Sequence, residues 1–407
     1  MRKHYYGYNI VASGFLIQAV CIGAMFTYGV FFKVFQEEFG WSRAVISGAS
    51  SLNFLFLGGF GIIVGVLNDR IGPRIIMTVS GVLMGLGYLL LSRLEEPWQL
   101  YLFYGGLVGI GLSTHDVITL STVARWFDKR RGTMTGLVKV GTGAGQFLMP
   151  LVAAALIATY GWRNAYVMIG SVSLILLILL ALPLKRDPQE MGLLSDSSGS
   201  SSQDLSGNHT QSLSLGEALG TLQFWIICVA EFSVFFCLFS IVVHIVPHAR
   251  DMRIPATSAA ALLSTIGAVS MLGRITMGAA IDRIGGKRTM LYCLALLITS
   301  LALLLMAGNI GLMFLFSIIY GFAHGGLFTV ISPIVAELFG TGAHGALFGI
   351  VWFSGAVGGS IGPWLAGFVF DKTDSYRLAF VILLMLALTG LGMVACLRPL
   401  SRTKQNP

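Results

Sequence analysis

Long apolar stretches, separated by short polar breaks, follow one another along most of the 407-residue chain. A helix that spans a bilayer needs about 20 mostly apolar residues. Stretches of about this length occupy residues 8–32, 44–67, 75–92, 98–124, 133–157, 163–184, 221–247, 256–281, 289–307, 309–336, 345–370 and 377–397. The pattern predicts an all-α membrane protein with twelve transmembrane helices.

The composition agrees with this prediction, and the distribution of Lys and Arg explains the net positive charge. Charged residues make up 11% of the chain, whereas soluble globular proteins carry about a quarter. Most Lys and Arg residues lie on the side of the predicted membrane that also holds both termini. By the positive-inside rule, we expect a multi-pass protein of the plasma or inner membrane with cytoplasmic termini. The net charge of +8 therefore reflects topology, and no nucleic-acid partner is predicted.

A polar segment divides the chain into two halves. Residues 185–219 are rich in Ser, Gly, Asp and Gln, a composition typical of a flexible linker. The predicted domains are a six-helix bundle at 1–184, this cytoplasmic linker, a second six-helix bundle at 220–398 and a tail at 399–407.

The two halves repeat each other at an offset of 213 positions, which lays GVLNDRIG at 65–72 over GAAIDRIG at 278–285. The same offset lays Gly132 over Gly345 and Gly136 over Gly349. One offset kept over several helices predicts two pseudo-symmetric bundles, and such repeats build transporters with a site at the repeat interface.

An arginine interrupts the eighth apolar stretch. Arg274 shares a helical face with Gly267, Ser270 and Gly278, and an arginine in a membrane helix is costly unless it has a partner. Its planar guanidinium matches a carboxylate in two hydrogen bonds. A bound carboxylate substrate, an internal partner such as Asp116 or Glu231, and snorkelling to the surface are the alternatives.

Three further ionisable residues lie within predicted helices. Lys139 occupies a face of small residues and could snorkel, contact a second anion or pair with Asp116. Asp116 lies at helical spacing from Gly105 and Gly109, and with Glu231 it is a candidate for carrying a proton.

Histidine and aromatic residues give weaker candidates. His115 and His324 could relay protons or bond backbone carbonyls. Tyr28, Phe328 and Phe353 could line a binding pocket or serve only in packing. No nucleophile–base pair, phosphate-binding loop, dinucleotide motif or metal-ligand spacing is found, so neither an enzyme nor a cofactor is predicted.

The repeated loop resembles that of a known family. GVLNDRIGPR at 65–74 resembles the G-x-L-x-D-R-x-G-x-R loop of the major facilitator superfamily, and GAAIDRIGGK at 278–287 resembles its degenerate second copy. Narrower similarities to its monocarboxylate and oxalate/formate transporters are YYGY at 5–8, VFFK at 30–33, EFGWSR at 38–43, WFDKRRG at 126–132 and Gly273-Arg274.

The resemblance covers essentially the whole chain and implies alternating access, with Arg274 pairing the carboxylate of a small organic acid. Monocarboxylate members typically place an aspartate one turn before this arginine, but Ser270 stands there in this chain. The usual proton carrier is therefore missing, and Asp116 is our first candidate to replace it. We also expect Asp69, Arg70, Asp282 and Arg283, at the ends of the second and eighth helices, to stabilise an outward-open state.

The leading hypothesis is a monomeric secondary transporter that moves a small monocarboxylate, such as lactate or pyruvate, with a proton. Arg274, Ser270, Tyr28, Phe328, Phe353 and Lys139 are the candidate substrate contacts. The first alternative is an oxalate/formate-type exchanger, which pairs the arginine with a lysine in helix 11, whereas residues 345–370 contain no Lys or Arg. A non-transporting membrane sensor is the second.

Overall fold

The computed structural model describes residues 5–192 and 212–397, and twelve of its helices are long and apolar enough to cross a membrane. The first six, α1 to α6, are Gly7–Phe39, Arg43–Ile71, Pro73–Leu91, Pro97–Trp126, Arg131–Tyr160 and Trp162–Ala181. The second six, α7 to α12, are Leu222–Asp251, Ala256–Ile284, Gly286–Met306, Ile310–Phe339, His344–Thr373 and Arg377–Cys396. The predicted all-α membrane fold is confirmed.

The helices form two six-helix bundles with matching internal packing. In the first bundle α1 packs on α5 and α3 on α6, and in the second α7 packs on α11 and α9 on α12. The bundles meet along two seams, α2 against α11 and α5 against α8. Residues related by the offset of 213 therefore occupy equivalent positions on opposite sides of the molecule.

Helix α4 departs from the regular helix that the sequence predicts. Residues Tyr101–Val108 form a π-helix, and Asn53 of α2 donates a hydrogen bond to the backbone oxygen of Tyr104 at 2.8 Å. A π turn changes the rotation of everything that follows it. Gly105 and Gly109 pack on α2, whereas Asp116, which follows a second break in the helix at Ser113, faces α1 and α5. The shared face expected from regular helical spacing was wrong.

Residues 193–211 of the predicted linker, 185–219, lie outside the described residues. The predicted tail at 399–407 also lies outside them. The described ends of the linker are ordered. Pro188–Met191 is a 3₁₀ turn and Leu215–Leu219 a short helix. Ser214 and Glu217 form a capping box on the short helix, a local signal that the polar composition obscures.

Both seams are closed at the end of the molecule that carries the linker, called here the linker side. A Cβ atom on Gly65 would lie 2.1 Å from the backbone oxygen of Gly345, and one on Gly278 would lie 2.6 Å from that of Gly132. Real Cβ atoms do not approach oxygen this closely. The two pairs are related by the repeat, so the same backbone contact closes each seam.

Two repeat-related aspartates reinforce this closure across the seams. Asp69 of α2 accepts hydrogen bonds from the backbone N–H groups of Gly345 and Ala346, at 3.1 and 2.9 Å. Asp282 of α8 accepts from those of Gly132 and Thr133, at 2.6 and 2.8 Å. Each carboxylate thus binds free N–H groups at the start of a helix in the other bundle, where the helix dipole favours negative charge.

The basic partner at this end is a residue that the sequence analysis did not select. Arg125 of α4 is buried, pairs with Asp69 and donates from Nε to the backbone oxygen of Thr341 at 3.3 Å. Arg70 and Arg283, which the motif suggested, are exposed and form no hydrogen bond or ion pair with the described residues. Asp282 has no counterpart of Arg125 among its described hydrogen bonds and ion pairs.

We predict that Asp69→Asn opens the linker side more than Asp282→Asn does. A bond to a charged group contributes about 1.5–3 kcal/mol, and only Asp69→Asn also removes the nearer carboxylate of a buried arginine, which keeps only Asp187 at 4.0 Å. The measurement is labelling, by a membrane-impermeant thiol reagent, of a cysteine placed at Thr135, a buried position of α5, in a cysteine-free background. Equal labelling in both variants and the parent would contradict the role of these contacts.

Candidate functional site

A buried ion pair lies at the centre of the first bundle's inner surface. The Nζ atom of Lys139 in α5 is 2.7 and 2.9 Å from the two carboxylate oxygens of Asp116 in α4, and both side chains are almost fully buried. The sequence left three interpretations of Lys139 open. The structure shows one of them, the ion pair with Asp116.

A glutamine from α1 completes the partners of this pair. The Nε2 atom of Gln18 lies 2.7 Å from Oδ1 of Asp116 and 3.0 Å from Oγ1 of Thr119. Its Oε1 atom accepts a hydrogen bond from Thr142 at 2.8 Å. Because polar side chains in an apolar environment need partners, this network of α1, α4 and α5 fixes the ion pair in one geometry.

His115 extends the network on the other side of Asp116. Its Nδ1 atom is 2.6 Å from the backbone oxygen of Leu112, and its Nε2 atom is 3.3 Å from Oδ2 of Asp116. A carbonyl only accepts, so Nδ1 carries a proton, and the charge of the ring depends on Nε2. The relay role of His115 stays a prediction.

Arg274 of α8 crosses the seam toward this network without joining a carboxylate. Its Nη1 atom donates to the backbone oxygen of Lys139 at 2.7 Å, and its buried Nε atom has no hydrogen-bond partner. Neither Asp116 nor Glu231 forms an ion pair with it among the described residues. The guanidinium is only 2% exposed, so the internal partner and the surface position considered for it are both absent here.

The second bundle presents aromatic side chains to the first. Lys139 Nζ lies 5.1 Å from the ring centre of Trp352 in α11 and 5.4 Å from that of Phe328 in α10, within range of cation–π attraction. Phe328 also packs on Phe235 and on His324, at 5.0 and 4.9 Å between ring centres. The Nδ1 atom of His324 has no hydrogen-bond partner.

Glu231 of α7 is the second buried carboxylate of the interior. Unlike Asp116, it forms no hydrogen bond or ion pair with the described residues. The side chain is 1% exposed and its Oε1 atom accepts no hydrogen bond. It packs beside Gly355 of α11, where an added Cβ would lie 3.0 Å from its Cγ atom.

The remaining predicted substrate contacts are Ser270, Tyr28 and Phe353. Ser270 is buried, but its hydroxyl donates to the backbone oxygen of Gly267 in its own helix. Tyr28 donates to the backbone oxygen of Ile46 and stacks on Tyr104, both within the first bundle. Phe353 borders Gly58 at the α2–α11 seam. Tyr28 is therefore fully engaged by packing in its own bundle.

Comparisons with known proteins agree with this architecture. A family model described as the Major Facilitator Superfamily matches residues 14–276 and 249–407. The chain belongs to the major facilitator superfamily. Within it, the chain is 30% identical to monocarboxylate transporter 13 of Bos taurus over 400 residues, covering 96% of the chain and 89% of that protein.

Further members of the superfamily extend the comparison. Monocarboxylate transporter 12 of Mus musculus is 26% identical over 431 residues, covering 98% of this chain and 87% of that protein. The crystal structure of the Escherichia coli fucose:proton symporter superposes with a TM-score of 0.73 at 16% identity, covering 96% of this chain and 99% of the other. These matches place the chain with the monocarboxylate transporters and support the superfamily fold.

Sequence reasoning missed Gln18 and Trp352 as neighbours of the central charges. Both had a usable signal in the repeat. The offset of 213 relates Gln18 to Glu231 and Trp352 to Lys139. Each missed residue is therefore the repeat counterpart of a residue that the sequence analysis had selected.

We predict that Asp116→Asn lowers the thermal stability of the purified protein strongly, because it leaves Lys139 charged and buried without its counter-ion. Breaking a buried pair costs about 3–5 kcal/mol. The double variant Asp116→Asn/Lys139→Met removes both charges and should recover most of the loss. The melting temperatures in detergent measure this, and a double variant no more stable than Asp116→Asn would contradict the ion pair's structural role.

Proposed function

We propose that the protein is a secondary active transporter that moves a small monocarboxylate, such as lactate or pyruvate, together with a proton by alternating access. It is a multi-pass membrane protein of a transporter superfamily, with monocarboxylate transporters among its relatives. We further propose that it works as a monomer in the plasma or inner membrane and has no enzymatic activity.

The observation that carries this proposal is the unpaired donor group of Arg274. An arginine at the centre of a membrane helix costs about 2.5–3.5 kcal/mol, and a charge-assisted hydrogen bond contributes about 1.5–3 kcal/mol. A substrate carboxylate on Arg274 would therefore approximately offset the cost of placing it there. Lys139, already neutralised by Asp116, supports the site as a structural cation.

The closed linker side supports alternating access in one direction. If the termini are cytoplasmic, as the distribution of Lys and Arg favours, then the contacts of Asp69 and Asp282 close the cytoplasmic side. The structure would then correspond to a state closed to the cytoplasm, whose opening on that side requires these contacts to break.

An exchanger of the oxalate/formate type is the second candidate that the sequence raised. Two carboxylates in one substrate call for two available cations. Only Arg274 has an unpartnered donor among the central cations described, because Lys139 is bound to Asp116 and its repeat position in α11 is Trp352. This arrangement favours a substrate with one carboxylate.

We predict that Arg274→Ala abolishes the uptake of labelled L-lactate into proteoliposomes under an inward proton gradient. Arg274→Lys keeps the charge but loses the planar fork, so its apparent affinity should fall by about 10- to 100-fold, the equivalent of one charge-assisted bond. Arg288→Ala, which removes an exposed arginine at the start of α9, is the matched control and should transport normally. Uptake like that of the wild type in Arg274→Ala would refute the binding role.

We also predict that unlabelled pyruvate competes with lactate and that oxalate does not. The second carboxylate of oxalate would lie against aromatic rings, where the nearby cation, Lys139, is already paired with Asp116. The competition is measured in the same proteoliposomes at equal concentrations. Strong competition by oxalate, or lactate uptake that requires oxalate on the other side, would favour the exchanger.

A further inference from the structure

Glu231 differs from the other buried carboxylate in having nothing to neutralise it. Asp116 forms an ion pair with Lys139 and accepts a hydrogen bond from Gln18. Glu231 has no hydrogen bond or ion pair with the described residues, and its Oε1 atom is buried without a partner. An ionised carboxylate in this state is very costly, and a protonated one is far less so.

The repeat explains why Glu231 is left without partners. At the offset of 213, Glu231 is the counterpart of Gln18. The groups that surround Gln18 in the first bundle have uncharged counterparts in the second, and none of these bonds Glu231. His115 corresponds to Phe328, Asp116 to Thr329, Lys139 to Trp352 and Thr142 to Gly355.

The second bundle thus keeps an acid at a position where the first bundle has an amide. Of the side chains that bond this amide, Asp116 and Thr142 are replaced by Thr329 and Gly355, and Ser332, the counterpart of Thr119, has an unpartnered hydroxyl oxygen. Gly355 lies directly against Glu231, and Phe235 also contacts this glycine. Trp352 lies one turn from Gly355 along α11, and its ring centre is 5.1 Å from Nζ of Lys139 in the first bundle. An uncharged Gln would fit this pocket as well as Glu does, so packing alone does not account for the acid.

Resting on the proposed function, we propose that Glu231 carries the coupled proton, in place of Asp116. The charged groups that act on it are Lys139 and Asp116 from the first bundle. Arg274 is the further cation of the centre and belongs to α8, a helix that packs on α7. His324 is the ionisable residue of α10 on this side. The ionisable residues of α11 and α12 lie near the ends of those helices, away from Glu231.

Charge balance gives the physical reason for coupling. With both histidines neutral, Arg274, Lys139 and Asp116 together carry one positive charge. A substrate carboxylate with protonated Glu231 brings the total to zero. Without substrate, ionised Glu231 also brings it to zero. The loaded protein and the empty deprotonated protein are therefore both electroneutral, and only neutral arrangements avoid the cost of an unmatched charge in the membrane interior.

The two ligands also support each other's binding. Ionised Glu231 would attract Arg274 or Lys139 and repel an incoming carboxylate, so substrate binds when Glu231 holds a proton. When substrate and proton leave on the other side, the freed carboxylate becomes the counter-ion of the empty site. One proton accompanies one monocarboxylate in this cycle.

The transport test uses Glu231→Gln in proteoliposomes with labelled L-lactate. The variant mimics protonated Glu231, so lactate/lactate exchange should stay within about twofold of wild type, whereas accumulation driven by a proton gradient should fall roughly 100-fold, because its empty form carries an unmatched positive charge. Glu95→Gln, an exposed acid between α3 and α4, is the matched control and should behave as wild type. A potassium diffusion potential should leave the wild-type rate unchanged.

A spectroscopic test separates this inference from the proposed function. Infrared spectra of the purified protein, recorded as the pH is lowered from neutral, should gain the carbonyl band of a protonated carboxylic acid that is absent in Glu231→Gln and persists in Asp116→Asn. If wild type fails to accumulate lactate, the proposed function is wrong while the infrared result still decides whether Glu231 holds a proton. Normal gradient-driven accumulation by Glu231→Gln, or an unchanged acid band in it, overturns the inference.

Discussion

A charge in the membrane interior must be matched by an opposite charge or by a ligand, and the polar centre of this protein is arranged around that requirement. Lys139 and Asp116 neutralise each other, and Gln18 holds Asp116 in place. Arg274 and Glu231 are the residues that this internal matching leaves over. Arg274 lies at the α5–α8 seam, against the backbone of Lys139, so its unmatched charge lies where the two bundles meet.

The two bundles share a backbone plan but divide the chemistry between them. The inner surface of the first bundle carries a hydrogen-bonded polar network, while the second presents Trp352, Phe328 and Phe235. Duplication preserved the glycine contacts and the loop aspartates at both seams. It did not preserve the side chains at the centre, where a symmetric pair of sites would bind two ligands instead of one.

The sequence predicts the architecture well because the bilayer restricts it so strongly. Twelve apolar stretches and one constant offset were enough for the helices, the two bundles and the seam aspartates. The π-helix at Tyr101–Val108 was not predictable from periodicity, because it depends on a bond from Asn53 in a neighbouring helix. Arg125 was missed for a similar reason: its partner, Asp69, lies 56 positions away in the chain.

The central site was predicted in its residues but not in their pairings. Arg274, Lys139, Asp116 and Glu231 stand out in sequence as charges in apolar helices. Which of them neutralise each other depends on the rotation of each helix, which a period of 3.6 residues fixes only when the helix is regular. In α4 it is not.

The closure of the linker side is made largely by main-chain atoms. Gly65 and Gly278 approach backbone oxygens, and Asp69 and Asp282 bind backbone N–H groups. Every residue except proline supplies such an N–H group, so the partner positions place few demands on side-chain identity. The contacts that close the linker side are thereby chemically separate from the charged residues at the centre. Side chains at the centre can therefore differ without changing the contacts that close the linker side.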